Sequence, residues 1–179
     1  MVAVAVTTLA TSVEAGKRRG KRAVVEDILA TPDGSFVVIL KTQSDPVRFV
    51  PIWIGEAEAV AIRMRLDRRK PPRPLTLNLL ESVMSTGNIK IVEVRVDALK
   101  GGVFLGKLRL KQSGRFWEID ARPSDAIGLA VGSDAIIWVA QQVLDDASFG
   151  ADDLDLSKKK KPREPHPKSD PETAVEETL

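Results

Sequence analysis

The chain has 179 residues, a net charge of +2, no cysteine and a single histidine, His166. That length suffices for one domain with a sizeable core and terminal extensions. The composition excludes disulfide and thiolate chemistry. It also leaves no histidine for catalysis or metal binding within the fold, because His166 lies in a Lys/Pro-rich tail. Core chemistry therefore falls to carboxylates, hydroxyls, Lys, Arg and backbone amides.

In chain order, residues 1–21 read as a disordered arm. Its apolar start, MVAVAVTTLATSVEAG, has no basic segment before it, which a secretory signal would carry. AVVEDILA (23–30) reads as a strand, TPDG as a turn, and SFVVILK (35–41) and VRFVPIWI (47–54) as strands. After Gly55, residues 56–69 predict a helix, with Ala59, Ile62 and Leu66 on one stripe; PPRP stops it. LTLNLLESVMST predicts a second helix closing on Gly87. Three more strands follow, IKIVEVRV (89–96), VFLGKLRLK (103–111) and RFWEIDA (115–121), then a helix over PSDAIGLAVG. AIIWVA (135–140) is a last strand and QQVLDDAS a short helix. From Gly150 the Asp/Lys/Pro/Glu composition predicts disorder.

Residues 24–150 hold 16 basic and 16 acidic side chains, so this part is neutral. The basic excess sits in KRRGKR (17–22) and KKKKPR (158–163). Such arms can gather nucleic acid through its phosphates, although solvated tails are the simpler reading. No window approaches the ~20 apolar residues of a membrane span, and the protein reads as cytoplasmic.

The pattern recurs at an offset of 67 or 68. Val25-Glu26 falls on Val92-Glu93, Gly34 and Phe36 on Gly101 and Phe104, Arg48-Phe49 on Arg115-Phe116, Ile52 on Ile119, and Glu58-Ala59 on Asp125-Ala126. We read an internal duplication of a β-β-β-α unit, giving one α+β domain over residues 22–149, with 150–179 as a charged tail.

The duplication makes Glu58 and Asp125 equivalent, each near the third position of its helix, with Pro123 at the first position of the second one. A carboxylate there is favourable in itself, because it meets free amides and the positive helix end. Both acids can therefore be simple caps. If the two junctions converge, Glu56, Glu58, Asp120 and Asp125 instead form a carboxylate cluster beside Arg122. Carboxylates without histidine suit hard cations such as Mg²⁺, which activate water and stabilise a phosphodiester transition state. Arg122 would neutralise phosphate.

Arg65, Arg68 and Arg69 share a helical face, and Arg73 adds charge nearby. They form either a phosphate-contacting patch or a solvated helix end. That region has no aromatic residue for base stacking. Trp53, Trp117 and Trp138 lie in strands and read as core or subunit-contact residues. Phosphate loops of the G-x-x-x-x-G-K-[ST] and G-x-G-x-x-G kinds are absent, so no nucleotide or organic cofactor is expected. Ser124 has no histidine to activate it.

PIWIGEAEAVAI, RKPPRPLT followed by LL, and IDARPSDAIGLA, in that order, resemble the bifunctional nuclease domain family (domain of unknown function 151). The resemblance covers roughly residues 22–147. It implies a duplicated α+β fold and a nuclease acting on DNA and RNA. Its motif positions are Glu56 and Glu58 in the first motif, and Asp120, Arg122, Ser124 and Asp125 in the second. After Arg73-Pro74-Leu75-Thr76 the family usually carries a His and an acid, where this chain has Leu77-Asn78. Near the end of the last motif it has Val131-Gly132 where the family tends toward Arg.

Two functions are expected from these residues. One is a nuclease using Mg²⁺ or Mn²⁺, with Glu58, Asp120 and Asp125 as metal ligands and Glu56 and Arg122 beside them. The other is a catalytically weak or inactive binding module, in which the acids cap helices and the arginines hold a partner. DNA or RNA is the expected partner, no membrane is involved, and a homodimer is plausible from the tryptophan-bearing strands.

Overall fold

The computed structural model describes residues 19–150 and 153. The expected terminal arm and tail lie almost wholly outside them. The elements are β1 (Gly20–Ala30), β2 (Phe36–Thr42), β3 (Phe49–Ile54), α1 (Glu56–Leu66), α2 (Thr76–Thr86), β4 (Lys90–Lys100), β5 (Val103–Gln112), β6 (Arg115–Ala121), α3 (Pro123–Ser133), β7 (Ile136–Ala140) and α4 (Gln141–Ala147). This is the expected α+β composition.

All seven strands form one sheet in the order β3-β2-β1-β7-β4-β5-β6. Each half is an antiparallel three-stranded meander whose outer strand leads into a helix. The helices α1 and α3 are each 11 residues long and begin 67 positions apart. Both inner strands carry a bulge near the same point, between Val25 and Asp27 in β1 and between Ile91 and Glu93 in β4. The duplication is thus visible as two like halves. β7 joins them, antiparallel to β1 and parallel to β4. β1 starts at Gly20, earlier than expected, because residues Gly20 to Ala23 pair with β7.

Alternating residues bury one face. Val38 and Leu40, Val50 and Ile52, Val94 and Val96, and Leu108 and Leu110 meet Ile62 of α1, Ile127 and Leu129 of α3, and Val143 and Leu144 of α4 in a single core. Trp117 and Ile119 lie opposite Leu110 and Leu108, yet remain 53% and 48% exposed, because β6 is the sheet edge. Trp53, on the other edge strand, is 65% exposed, so neither tryptophan is a core residue. Trp138, in the central β7, is half-buried.

α1 stops at Leu66, three residues short of the expected end, and Arg68 takes a left-handed φ of 53°. α3 runs through Gly132 and ends on the left-handed Asp134. A side chain at position 132 would collide with the Glu81 carboxylate, so this glycine serves close approach rather than termination. Likewise Gly87 has φ −80°, and Asn88 beyond it turns left-handed at φ 52°. The two-residue turn Gly101-Gly102 between β4 and β5 has φ 55° and 79°, which glycine adopts without strain.

Candidate active site

α1 leaves β3 through Gly55, and α3 leaves β6 through Arg122 with Pro123 as its first helical residue. Neither helix has a side-chain cap at its N-cap residue. The third helical residues are Glu58 and Asp125, as the spacing predicts. The two helices pack against each other, which brings their starts together.

Arg122 joins them. Its Nη2 lies 2.9 Å from Glu58 Oε1, and its Nε and Nη2 donate to Asp125 at 2.7 and 3.1 Å. One nitrogen thus touches an oxygen of each acid, so those two oxygens are no further apart than 2.9 plus 3.1 Å. The Asp125 hydrogen bond, reinforced by the charges of Asp125 and Glu58, holds the guanidinium above its ordinary pKa. The Arg122 side chain is 68% exposed, against 36% for Asp125 and 21% for Glu58. The acids are therefore more than helix caps: they share a cation that faces solvent.

Two clefts flank this group. One, of about 320 Å³, is walled by Ile52, Trp53, Val103 and Phe104. The other, of about 470 Å³, is walled by Ala57, Ala61, Pro74, Leu75 and Leu77. Glu58, Arg122 and Ser124 line both and form the ridge between them. The β4–β5 turn closes the first cleft through Gly102, and α2 supplies the far wall of the second.

The remaining expected residues are placed differently. Glu56 is exposed at the first position of α1 and lines neither cleft. Asp120 sits in register with Lys107, on the sheet face opposite Trp117, Ile119 and the core, and does not join Glu58 and Asp125. Strand alternation predicts that separation, because Asp120 and Ala121 must point to opposite faces. Among the described residues no three carboxylates are grouped closely enough to hold a metal ion.

The arginine patch is also rearranged. Arg65 turns inward: its Nε donates to the Gly128 carbonyl at 3.0 Å, its Nη2 lies 3.1 Å from Glu81 Oε2, and its side chain is only 9% exposed. Arg68 lies beyond the helix, Arg69 pairs with Asp67 at 3.1 Å, and Arg73 is exposed in the following loop. The three do not share a helical face, because the helix ends before Arg68 is reached.

Sequence reasoning missed the second cleft's wall. Leu77 points toward α3, where a Cβ on Gly128 would come within 2.6 Å of its Cδ1. Asn78 closes the start of α2 instead, accepting from the Leu75 amide at 3.1 Å. The signal was present in RPLTLN, where a cap-forming Asn lies beside an apolar residue that the resemblance marked as unusual.

The profile of the bifunctional nuclease domain matches residues 38–152, and the chain belongs to that family. Two curated relatives from Mycobacterium tuberculosis are similar: Uncharacterized protein MT1877 (strain CDC 1551 / Oshkosh) and Uncharacterized protein Rv1829 (strain ATCC 25618 / H37Rv). Each is 34% identical over 112 residues, which cover 63% of this chain and 66% of the relative. The chain thus spans just under two thirds of their length. No helix among the described residues is long and apolar enough to cross a membrane.

Proposed function

We propose that the protein is a phosphodiesterase of the bifunctional nuclease type, acting on DNA and RNA, with Glu58, Arg122 and Asp125 as its reaction centre. One observation carries this reading. An exposed arginine bridges two carboxylates on the ridge between two clefts. Hydrolysis adds a water oxygen to phosphorus and breaks the bond to the leaving sugar oxygen, which takes up a proton from solvent. Arg122 suits the phosphate oxygens, where charge accumulates. Asp125 or Glu58 suits the proton given up by the attacking water.

The charges argue for a cation. Two acids and one arginine sum to one negative charge, and a phosphodiester adds another. Mg²⁺ or Mn²⁺ fits the donors, because Mg²⁺ is commonly held by one or two carboxylates, several waters and substrate phosphate. Glu58 and Asp125 would hold it once Arg122 turns to the phosphate. When bound, such an ion supplies charge neutralisation and a more acidic water. Asp120 and Glu56 have no part in this arrangement.

The test is degradation of plasmid DNA and single-stranded RNA with Mg²⁺, Mn²⁺ or EDTA, alongside Asp125→Asn checked for an unchanged melting temperature. Metal-dependent cleavage that the folded variant loses supports the assignment. Equal cleavage by both proteins removes it.

A second reading, a binding module that turns over slowly or not at all, is favoured by Leu77. Its apolar side chain lines the second cleft beside Arg122 and Asp125, at the position where the resemblance places a histidine.

A further inference from the structure

Resting on the proposed reaction centre, we infer that the two clefts receive the nucleosides on either side of one phosphodiester, which makes the substrate an unpaired strand read without regard to base. The ridge is the reason. Glu58, Arg122 and Ser124 belong to both clefts, so a phosphate over Arg122 has one cleft before it and one behind. The volumes, about 320 and 470 Å³, lie at the scale of small-ligand pockets rather than of a groove for a duplex.

A paired base cannot enter such a cleft without leaving its stack, which costs a few kcal/mol. An unpaired base enters freely. The walls then decide selectivity. Beyond the ridge, the first cleft presents Trp53 and Phe104, and the second presents Pro74, Leu75, Thr76 and Leu77. Base discrimination needs donors and acceptors aimed at base edges. These side chains have few, only the Trp53 indole N–H and the Thr76 hydroxyl. Aromatic and aliphatic walls hold any base by its face, as sequence-tolerant single-strand proteins do. The arginine run lines neither cleft, so its lack of an aromatic residue does not weigh against stacking in the first one.

Fluorescence anisotropy in EDTA, where nothing is cleaved, tests the inference. The probes are a labelled 12-nucleotide thymidine strand, an adenosine strand of equal length, and a blunt hairpin duplex, all at one salt concentration. Two variants probe the walls. Leu75→Asn alters the second cleft at the N-cap of α2, where Asn is a preferred residue, so folding is protected. Val103→Asn alters the first cleft at an exposed position beside the Gly-Gly turn.

The expected result is binding of both single strands within a few-fold of each other, the duplex weaker by about tenfold or more, and each variant weakening the single strands by about tenfold. A duplex bound as tightly as the single strands overturns the inference, as do variants that leave single-strand affinity unchanged. The two proposals fail separately. Cleavage without single-strand preference removes this one and keeps the nuclease. Single-strand binding without cleavage under any metal does the reverse.

Discussion

At the scale of single residues, Arg122 determines what the two helix starts become. As N-cap of α3 it comes from the second half of the duplication, and it reaches Glu58 in the first. The equivalence of Glu58 and Asp125 was legible in the offset of 67. That they would meet on one guanidinium was not, because pairing across the duplication depends on how α1 and α3 pack. Leu77 is the residue whose identity tests turnover. Leu77→His is expected to raise the Mn²⁺-dependent cleavage rate several-fold if this chain is a weakened nuclease, measured against the unchanged protein on the same RNA. An unchanged rate removes the second reading's explanation.

Another single residue sets an acid limb. Asp27, at the β1 bulge, accepts from Arg63 of α1 at 2.6 Å and from the Ile28 amide at 2.8 Å. The Arg63 hydrogen bond, then the Ile28 amide, hold its carboxyl below the ordinary aspartate value of 3.8. A lowered folded value means that the stabilisation is present above the unfolded value and is lost as pH falls through the folded one. Asp27→Asn is therefore expected to be less stable than the parent near neutrality. The gap should close as pH drops below 3.8, as read from urea midpoints at each pH.

At the scale of elements, one ion pair ties α2 to α1. Glu81 faces Arg65 of α1 beside Gly132 of α3, so three helices meet there. Burial raises the Glu81 pKa, and the Arg65 charge opposes that rise. Ionised Glu81 is thus costly in itself but necessary to a nearly buried arginine. Removing one partner strands the other, typically at 3–5 kcal/mol for a fully buried pair, whereas replacing both with apolar groups is often neutral. Since Glu81 is 26% exposed, Glu81→Ala is expected to cost about 2–3 kcal/mol. Arg65→Met with Glu81→Leu should recover most of it. A urea-denaturation double-mutant cycle measures the coupling.

The elements themselves were largely legible. Every strand and helix expected from period and turn signals is present, because each has a strong local pattern of alternation or Pro/Gly punctuation. The errors fall where tertiary contacts override local signals. β1 is extended by pairing with β7, and α1 ends before its last arginines. The shared face expected of Arg65, Arg68 and Arg69 fails for the same reason, because burial of Arg65 against α2 and α3 leaves no trace in the spacing of arginines.

At the scale of the whole molecule, the strand order could not be read from the sequence. A meander followed by a meander suggests two adjacent hairpin sheets, not a seventh strand inserted between them. β7 has only five residues, yet Val139 is fully buried and Ile137 is 6% exposed. Val139→Asp places a charge at the join and is expected to abolish the cooperative urea transition. The same change at Ile119, 48% exposed on the edge strand β6, should cost no more than about 1 kcal/mol. Comparable losses at both positions would mean that the halves do not depend on β7.

That central position also sets a timetable for a newly made chain. A ribosome adds roughly 5–20 residues per second, and the N-terminal parts emerge first. The six strands of both meanders, and the arginine that links the two helix starts, are all synthesised before residue 136. Through that interval β1 and β4 each present an unpaired inner edge, the kind of surface that recruits foreign strands. The final strand of the sheet to be translated is the one that removes both hazards at once.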